Sequence, residues 1–399
     1  MVNVMKIIYI IAITLLSAFT NALSDPNYYM VFDAGSSGTR LSLFEVIPAE
    51  VNGQLPAINR LILDQSQVDD YRVKPGISSL IDNPEGLWPL LDQLFEKAND
   101  AMLVHQIDPA DVQVYFHATA GMRLIPEAKR NAYFSMIKDY MIKRTPFQSI
   151  QTVSMISGEQ EGTFAWLAVN YDVMVGEDSS ATKIVMDLGG ASMQISANLG
   201  INPEQYNLPY TTFKVKGNNY HIASTSFLGF GLNLVLSRVS NYWQQTYNVC
   251  LPKQYTADYI DNPAYIPFSY AACERIFLHY MLSRGEYNAN FRHIFNLINS
   301  RAELQVTGLD NFYFVMNYFD ANSPQELVHN VQARCSGTEE ADVPFLAGSF
   351  TIERECPKAI YLLSVYQFLG FDHINPKMDF YRQNWTRGVV ASIILEQNP

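Results

Sequence analysis

The sequence predicts an α/β protein built from two similar halves that face each other across a cleft. Residues 31–43 run from two apolar residues into Asp33, then into a Gly/Ser hairpin and an alternating strand. Residues 185–196 repeat this pattern without a gap, so that Asp187 aligns with Asp33, and the first glycine of each loop also aligns. Two strand–loop–strand units of this kind imply two similar halves with their loops opposite each other.

The first loop has the composition of an anion site. Its glycines let backbone N–H groups approach an anion without an intervening Cβ, and its hydroxyl and guanidinium side chains add donors. Asp33, at the end of a strand, is placed to face a cation that accompanies the anion. Such a loop is also a common turn, so the interpretation depends on the repeat. The donors are Gly35, Ser36, Ser37, Gly38, Thr39 and Arg40.

Length and composition fit a two-domain globular protein. The chain has 399 residues, of which 48% are hydrophobic and 17% charged, enough apolar material for two cores. The net charge of −12 argues against nucleic acid and anionic membranes as the main partners, since neither is attracted to such a surface. Any anion site must therefore be made locally, from backbone amides, one or two arginines and a metal cation.

The N-terminus is typical of a signal peptide, predicted over residues 1–22. Lys6 precedes an apolar run at 7–19, and residues 20–22 offer a small-residue cleavage site. A membrane anchor is disfavoured because the run falls short of the roughly 20 apolar residues that span a bilayer. We therefore expect export without a stable membrane anchor: secretion, or a periplasmic location if the source is a Gram-negative bacterium.

Four cysteines, all in the second half, predict two disulfides in an exported chain. Three connectivities are possible, and pairing of neighbours along the chain is the most economical. That pairing would join Cys250 to Cys273 and Cys335 to Cys356. The cysteine spacings do not match zinc ligands, so a structural zinc site is not expected.

The first half is predicted to be a sheet with helices packed against it. Strands at 28–32 and 40–47 flank the first loop. The segment 49–86 contains three prolines and is predicted to be a surface excursion. Apolar residues then recur on one face at helical spacing over 90–102, which predicts a core-packing helix.

A second candidate ligand contact follows a short buried strand at 112–116. Small residues at 118–121 allow the backbone to approach a ligand closely, and Thr119 adds a hydroxyl. Ligands of open α/β sheets bind beyond the carboxyl ends of strands, where this turn lies. His117, at the start of the turn, is expected to be a packed structural residue.

Two carboxylates open the helix that follows a strand at 150–156. Ser157 and Gln160 fit a capping box, and acidic residues are common in a first helical turn because they interact with the helix dipole. Against this structural explanation, Glu159 and Glu161 lie just beyond a strand's carboxyl end and between the two loops in sequence. A carboxylate there is suited to act as a general base. The spacing does not decide which of the two does so.

The second half begins with the second loop, between strands at 183–186 and 193–197. Ser192 and Gln194 are uncharged polar residues beside it that could orient a water molecule, although ordinary hairpin packing explains them equally well. Further predicted elements are a strand at 220–223, a helix from 232, a disulfide-linked insertion at 240–290, an apolar run at 312–319, a helix at 357–371 and a final helix at 389–395.

Motifs of other nucleotide-binding and hydrolytic folds are absent from the sequence. It has no GxxxxGK[ST] loop, which excludes a P-loop nucleotidase, and no HExxH or GxSxG sequence, which argues against zincins and α/β-hydrolases. Five segments instead resemble, in order, the signature regions of the apyrase family, the ecto-nucleoside triphosphate diphosphohydrolases. This family has the actin-like ATPase fold, in which two RNase H-like domains flank the active site. The segments are 33–40, 118–123, 157–162, 187–194 and 226–231.

The resemblance implies a role for each matching residue. The two loops would hold the β- and γ-phosphates of a nucleotide. Glu161, which precedes a glycine and lies five residues ahead of a tryptophan, matches the family's catalytic base, which leaves Glu159 a structural role. Ser192 and Gln194 match the residues that position the attacking water. The phosphate-binding set would be Gly35, Ser36, Ser37, Gly38, Thr39, Arg40, Thr119, Ala120, Arg123, Gly189, Gly190, Ala191 and Ser192.

The same resemblance implies a divalent cation, Ca²⁺ or Mg²⁺, held mostly through its water shell. Such a site is physically reasonable because magnesium sheds its water reluctantly. Tyr313 lies where the family has a base-stacking aromatic residue. Residues 240–290 match the family poorly, so its base selectivity does not transfer to this chain. The residues around the cation would be Asp33, Asp187, Thr119, Glu161 and Trp385.

These inferences together define the predicted protein. Residues 1–22 form the signal peptide, 23–161 and 380–399 the first RNase H-like domain, and 162–379 the second, with its disulfide-linked insertion. The predicted activity is that of an apyrase, in which a water activated by Glu161 hydrolyses nucleoside tri- and diphosphates to the monophosphate and inorganic phosphate. A monomer is expected, since no dimer signature is present.

Three other interpretations compete with this one. An exopolyphosphatase-like enzyme would prefer polyphosphate to ATP. An actin-like chaperone would need a further substrate-binding domain, and a sugar kinase would need an acceptor and cytosolic ATP, which a signal peptide disfavours. A non-catalytic nucleotide sensor would keep both loops but would not need Glu161 and Gln194 around a water molecule.

Overall fold

The structure, a computed structural model, describes residues 27–49, 54–63, 71–176, 182–243, 248–252, 268–285, 288–299, 305–336, 352–374 and 376–398. The predicted signal peptide, residues 1–22, lies outside these described residues. Nowhere in the described ranges is a helix long and apolar enough to cross a membrane.

The first sheet surrounds the first loop. Its strands are β1 (Asn27–Gly35), β2 (Gly38–Ile47), β3 (Ala57–Leu61), β4 (Tyr71–Val73), β5 (Val112–Ala118) and β6 (Ser149–Met155). They lie in the order β3-β2-β1-β5-β6, and β4 also pairs with β2. β1 and β2 form an antiparallel hairpin, β5 runs parallel to β1, and β6 runs parallel to β5. The predicted surface excursion at 49–86 is therefore wrong for β3 and β4, which extend the sheet.

The helices of the first half cover this sheet and confirm the predicted core helix. They are α1 (Leu87–His105), α2 (Ala120–Arg123) and α3 (Glu127–Arg144), with short 3₁₀ turns at Ile77–Leu80, Pro84–Gly86 and Pro109–Asp111. The apolar stripe of α1 is buried as its spacing predicts. Its members are Leu90, Leu91, Leu94, Phe95, Ala98 and Met102.

The second sheet repeats the arrangement of the first. Its strands are β7 (Ile184–Leu188), β8 (Ser192–Asn198), β9 (Tyr210–Val215), β10 (Asn218–Leu228), β11 (Gln305–Asp310) and β12 (Lys377–Tyr381), in the order β12-β11-β7-β8-β10-β9. β7 and β8 form the hairpin, and β11 and β12 continue the sheet in parallel on one side. The predicted two similar halves are therefore confirmed. The predicted domain limits stay a prediction, and the second sheet ends two residues beyond the limit at 379.

The remaining helices pack between the sheets and around the second one. They are α4 (Gly158–Val175), α5 (Leu232–Trp243), α6 (Tyr270–Ser283), α7 (Asn288–Asn299), α8 (Asn311–Tyr318), α9 (Pro324–Cys335), α10 (Ile352–Phe368), α11 (Phe371–Ile374) and α12 (Thr386–Gln397), with a 3₁₀ turn at Pro203–Tyr206. α10 begins five residues before Pro357, where we predicted its start. The disulfides are the predicted ones: Cys250–Cys273 ties residue 250 to α6, and Cys335–Cys356 joins α9 to α10.

A shared core joins the two sheets. α4 and α12 pack together there, and the core includes Val31 of the first sheet, Val185 of the second and Trp166 of α4, each at most 1% exposed. At the closest approach of the two helices, a Cβ on Gly388 would lie 1.7 Å from the Phe164 carbonyl oxygen. This packing fixes the two loops relative to each other.

We expect Gly388→Ala to lower the free energy of unfolding by about 2–3 kcal/mol, because the added methyl group would collide with a backbone oxygen that cannot rotate away. Gly176→Ala is the matched control, since its Cβ would meet its neighbours at 3.4 Å or more. Urea denaturation followed by circular dichroism measures both variants. Equal stabilities would show that α12 does not pack this closely against α4.

Candidate active site

The two loops meet tip to tip, and a cavity lies between them. The contact is close, since a Cβ on Gly190 would lie 2.5 Å from the Ser36 hydroxyl oxygen. This loop cavity contains most of the predicted site residues. Its lining residues are Asp33, Gly35, Ser36, Ser37, Gly38, Arg40, Thr119, Ala120, Glu161, Asp187, Gly189, Gly190, Ala191, Ser192, Asp310, Asn384 and Trp385.

Four carboxylates of the described chain line the loop cavity. Asp33 and Asp187 occupy equivalent positions on β1 and β7, Glu161 is in the first turn of α4, and Asp310 ends β11. Burial raises the pKa of Asp33 to about 6. Burial, together with the charge of Asp310, raises the pKa of Asp187 well above its usual range. The cavity thus resists four negative charges at once and favours cations among them.

Arg40 supplies one such cation and bridges the two halves. Its Nη1 donates to Asp33 Oδ2 at 3.3 Å, and its Nη2 donates to Asp310 Oδ1 at 2.9 Å. Asp33 belongs to the first sheet and Asp310 to the second. Asp310 has a φ of 51°, a region that side chains other than glycine rarely adopt. Strained backbone of this kind is concentrated at functional sites.

A capping box sets the orientation of Glu161. Ser157 Oγ accepts from the Gln160 backbone N–H, and Gln160 Oε1 accepts from the Ser157 backbone N–H, as the sequence predicts. With α4 starting in this way, Glu161 lines the loop cavity and is 5% exposed. Glu159 is exposed and does not line it. The geometry therefore favours Glu161 over Glu159 as the candidate base, a choice that the sequence spacing alone did not decide.

The pKa of Glu161 lies near neutral pH because effects of opposite sign act on it. Burial raises the pKa of Glu161 to about 7, the Arg123 charge counteracts this, and the Asp33 charge adds to it. Arg123 Nη2 forms an ion pair with Glu161 Oε2, and Gln194 Nε2 donates to the same oxygen at 3.1 Å. A carboxylate that titrates near the working pH is matched to general-base catalysis.

Gln194 ties Glu161 to the second loop. Its Nε2 also donates to Ser192 Oγ at 2.6 Å and to Ser226 Oγ at 3.2 Å, and Ser226 accepts from Arg123 Nη1 at 3.2 Å. Gln194 Oε1 is buried and has no hydrogen-bond partner among the described residues. A water molecule that donates to Gln194 Oε1 would lie beside the Glu161 carboxylate.

The carboxylates fit a cation held through its water shell. No three His, Cys, Asp or Glu side chains in the described ranges converge closely enough to coordinate one ion directly. Asp33 Oδ1, however, is buried and lacks a hydrogen-bond partner in the described part of the chain. Oxygen donors of this type suit Ca²⁺ and Mg²⁺. Asp33, Asp187 and Asp310 could therefore hold a hydrated divalent cation.

A larger cavity of 580 Å³ adjoins the loop cavity and shares Ser37, Arg40 and Asp310 with it. Its size suits a small-molecule ligand. Cationic side chains outnumber acidic ones in its lining, which favours a polyanionic ligand. The cationic residues are Arg40, Arg72, Lys74, Arg354 and Lys358, and the acidic residues are Asp310 and Glu355.

The aromatic residues fall into two groups. Phe314, rather than Tyr313, lines the larger cavity, and the two rings lie 5.5 Å apart on α8. A base contact by Tyr313 stays a prediction. Trp385 lines the loop cavity and lies 6.3 Å from Phe164 and 6.2 Å from His117, ring centre to ring centre. Burial lowers the pKa of His117 to about 4, so it is neutral in this cluster, in keeping with a structural role.

Arg72 and Asp310 are among the site residues that the sequence analysis missed. Arg72 Nη2 donates to Ser37 Oγ at 2.5 Å, because β4 pairs with β2 and places Arg72 opposite Arg40. Asp310 lies in both cavities. A signal for Asp310 exists: like Asp33 and Asp187, it is an aspartate at the end of a buried strand. No local pattern marks Arg72.

The sequence profile of the GDA1/CD39 (nucleoside phosphatase) family matches residues 21–380. The chain is 34% identical over 223 residues to nucleoside-triphosphatase ntp-1 of Caenorhabditis elegans, a match that covers 54% of this chain and 40% of that protein. It is 32% identical over 257 residues to ectonucleoside triphosphate diphosphohydrolase 5 of Bos taurus, which covers 58% and 55% respectively. The chain spans about half the length of the curated relatives it matches.

Two solved structures share the fold. The nucleoside triphosphate hydrolase of Neospora caninum gives a TM-score of 0.55 at 15% identity, over 99% of this chain and 97% of that chain. The PPX-GPPA enzyme of Aquifex aeolicus gives 0.51 at 11% identity, over 92% and 99%. At these identities the comparison shows the fold alone. It is the actin-like ATPase fold with two RNase H-like domains, which confirms the predicted fold class.

In the presence of a chelator, we expect Glu161 to make the protein less stable as the pH rises from 5 to 8. The folded-state pKa of about 7 exceeds the usual 4.5, so the folded state binds the proton more tightly, and this stabilisation is lost as the pH rises through 7. The free energy of unfolding of Glu161→Gln should therefore fall less over this range, by about 2–4 kcal/mol.

Urea denaturation at both pH values measures this difference. Glu159→Gln, which changes an exposed carboxylate on the same helical turn, is the control and should keep the wild-type pH dependence. A wild-type pH dependence in Glu161→Gln would contradict the raised pKa.

Proposed function

Since the chain belongs to the GDA1/CD39 (nucleoside phosphatase) family, we propose that it is a divalent-cation-dependent hydrolase of nucleoside tri- and diphosphates. It would release inorganic phosphate and stop at the monophosphate. One observation carries the proposal: Glu161 is hydrogen-bonded to Gln194 in the cavity where the two loops meet. A general base, a group that can hold water and two phosphate loops are then in one place.

In the proposed mechanism, Glu161 activates the attacking water. Gln194 Oε1 accepts one hydrogen bond from this water, and a Glu161 carboxylate oxygen takes its other proton as the water oxygen attacks the terminal phosphorus. The bond from that phosphorus to the bridging oxygen breaks, and the leaving phosphate takes the electron pair. Arg123 keeps a fraction of Glu161 ionised near neutral pH by opposing the effect of burial. Catalysis is then mostly positioning and electrostatics.

The loops and their neighbouring cations would bind the phosphates. Backbone N–H groups of both loops and the hydroxyls of Ser36 and Ser37 surround the loop cavity. Arg40 and Arg72 adjoin Ser37 and add charge-assisted donors. The net charge of −12 does not oppose this, because the cations are concentrated at the site.

Asp33, Asp187 and Asp310 would hold the hydrated cation, which when bound supplies positive charge to the phosphate oxygens. The unpartnered Asp33 Oδ1 supports this assignment within the described residues. Thr119, Glu161 and Trp385 also line the loop cavity, as expected for groups near the cation.

The cationic lining of the larger cavity also favours a second candidate substrate, inorganic polyphosphate. Such a chain carries the same terminal anhydride as a nucleotide and more negative charge, which the five cationic side chains described above would attract.

Export also remains a proposal. The two disulfides support it, because disulfides persist in oxidising compartments. A monomeric state stays a prediction.

We expect Glu161→Gln to lower kcat by about 10²–10⁴, the usual contribution of a general base. The amide keeps the shape of the side chain but cannot take the proton. Glu159→Gln is the control and should keep near wild-type turnover. The measurement is steady-state phosphate release from ATP and ADP. A Glu161→Gln enzyme with wild-type turnover would assign the base elsewhere.

We further expect the mature protein to release phosphate from ATP and ADP but not from AMP, and only with Ca²⁺ or Mg²⁺. The monophosphate lacks an anhydride bond, and a chelator removes the charge that offsets the carboxylates. A colorimetric phosphate assay with inorganic tripolyphosphate as a further substrate measures this. Nucleotide binding without release would indicate a sensor, and release from tripolyphosphate alone would indicate a polyphosphatase.

A further inference from the structure

The larger cavity contains a buried carboxylate that the proposed hydrolysis does not use. Glu355, on α10, is 0% exposed and borders the 580 Å³ cavity. We propose that Glu355 accepts a hydrogen bond from a donor on the nucleoside, either a ribose hydroxyl or a base N–H group, and so selects nucleotides over bare polyphosphate. This inference rests on the proposed function, because it assigns the larger cavity to the nucleoside of that substrate.

Glu355 has one oxygen that is paired and one that is not. Lys358 Nζ, three residues along α10, donates to Glu355 Oε1 at 2.5 Å. Oε2 is buried and has no hydrogen-bond partner within the described part of the chain. An unsatisfied buried acceptor costs free energy, so such a group in a folded protein requires an explanation. A hydrogen-bond donor on a ligand bound in the larger cavity would supply that explanation.

The packing of α10 holds this carboxylate in place. The next residue, Cys356, is bonded to Cys335 of α9, and both cysteines are 0% exposed. This turn of α10 is therefore fixed to a neighbouring helix, while Lys358 restrains the other carboxylate oxygen. An acceptor fixed in this way loses little entropy on binding and suits recognition of one group.

Glu355 lies beyond the phosphate-binding loops. The two cavities share Ser37, Arg40 and Asp310 in their linings, and Glu355 lines only the larger one. A ligand with its terminal phosphate between the loops would reach Glu355 by extending past these three residues. In a nucleotide the part beyond the phosphates is the nucleoside, and Phe314 beside the same cavity presents a ring on which a base can stack.

The chemistry of the acceptor discriminates between the two candidate substrates. Phosphate oxygens are negatively charged acceptors near neutral pH, so they repel a carboxylate oxygen. Ribose hydroxyls and base N–H groups are donors. A site with a buried acceptor strongly rejects an analogue that cannot supply the donor, because the acceptor is then left unpaired. Glu355 therefore favours a nucleotide over a polyphosphate chain.

The test compares wild type with Glu355→Gln. The Lys358 ammonium group can only donate hydrogen bonds, so in the variant it should pair with the amide oxygen. The amide NH₂ group then takes the position of Oε2, and an acceptor is replaced by a donor without a change of side-chain shape. We expect the nucleotide KM, and the Kd of a β,γ-imido nucleotide measured by calorimetry, to rise about 10- to 100-fold, with kcat changed less than about threefold. The Kd of inorganic tripolyphosphate should not rise, because the variant loses the carboxylate that repels phosphate oxygens.

Glu274→Gln is the matched control, because Glu274 is a half-buried carboxylate on α6 outside both cavities. It should bind both ligands as wild type does. Nucleotides without the 2′- or 3′-hydroxyl, and base analogues without one N–H group, identify the donor. The analogue that lacks it should bind Glu355→Gln and wild type equally, as in a double-mutant cycle.

Nucleotide Kd and KM values within about twofold of wild type would overturn the proposal. So would an equal loss of tripolyphosphate binding, which would indicate a disturbed fold rather than a lost nucleoside contact. If wild type releases no phosphate from any nucleotide, the proposed function fails. The Kd comparison then still decides whether Glu355 contacts the nucleoside.

Discussion

The site depends on how the protein accommodates four carboxylates of its described chain in one cavity between its halves. Arg40 pairs with Asp33 and Asp310, and Arg123 pairs with Glu161, so two guanidinium groups face the four acids. With all four acids ionised, two negative charges would be left over, and burial penalises them, which is why the pKa values of Asp33, Glu161 and Asp187 are raised. A divalent cation would balance these charges, and a polyanionic substrate would then meet positive charge instead of a cluster of acids. The same four carboxylates therefore affect the contact between the halves, cation binding and substrate binding.

The two halves share the same strand–loop–strand backbone. They differ chemically at the residue that pairs with the loop aspartate across each hairpin. Arg40 pairs across its hairpin with Asp33, and Gln194 pairs across the other hairpin with Asp187. In the first half this position carries a charge that binds carboxylates now and could bind phosphate later. In the second half it carries a neutral amide, which can hold a water beside Glu161 without neutralising that carboxylate. An arginine at the second position would bind Glu161 as Arg123 does and lower its basicity.

The sequence repeat predicted both hairpins and most of the loop-cavity lining, because pairing within a hairpin is local and fixes where each loop residue lies. Residues that come from other parts of the sheet could not be predicted in this way. Arg72 reaches the first loop because β4 pairs with β2 across a long intervening segment. The choice between Tyr313 and Phe314 depends on a rotation of about 100° between consecutive helical residues, which a continuous apolar run does not reveal. The full fold came from the resemblance, not from periodicity.

Three buried hydrogen-bond acceptors indicate which chemical groups a bound ligand would have to supply. Asp33 Oδ1, Gln194 Oε1 and Glu355 Oε2 are oxygens without a hydrogen-bond partner in the described residues, and each lies in or beside one of the two adjoining cavities. Each such acceptor costs free energy in the ligand-free state, so acceptors at a cavity favour a ligand that supplies donors. A hydrated cation, an attacking water and a nucleoside each bring a donor or a positive charge. Each of these groups would recover the free energy that one acceptor loses in the ligand-free state, so the three acceptors together outline a complex of substrate, water and cation.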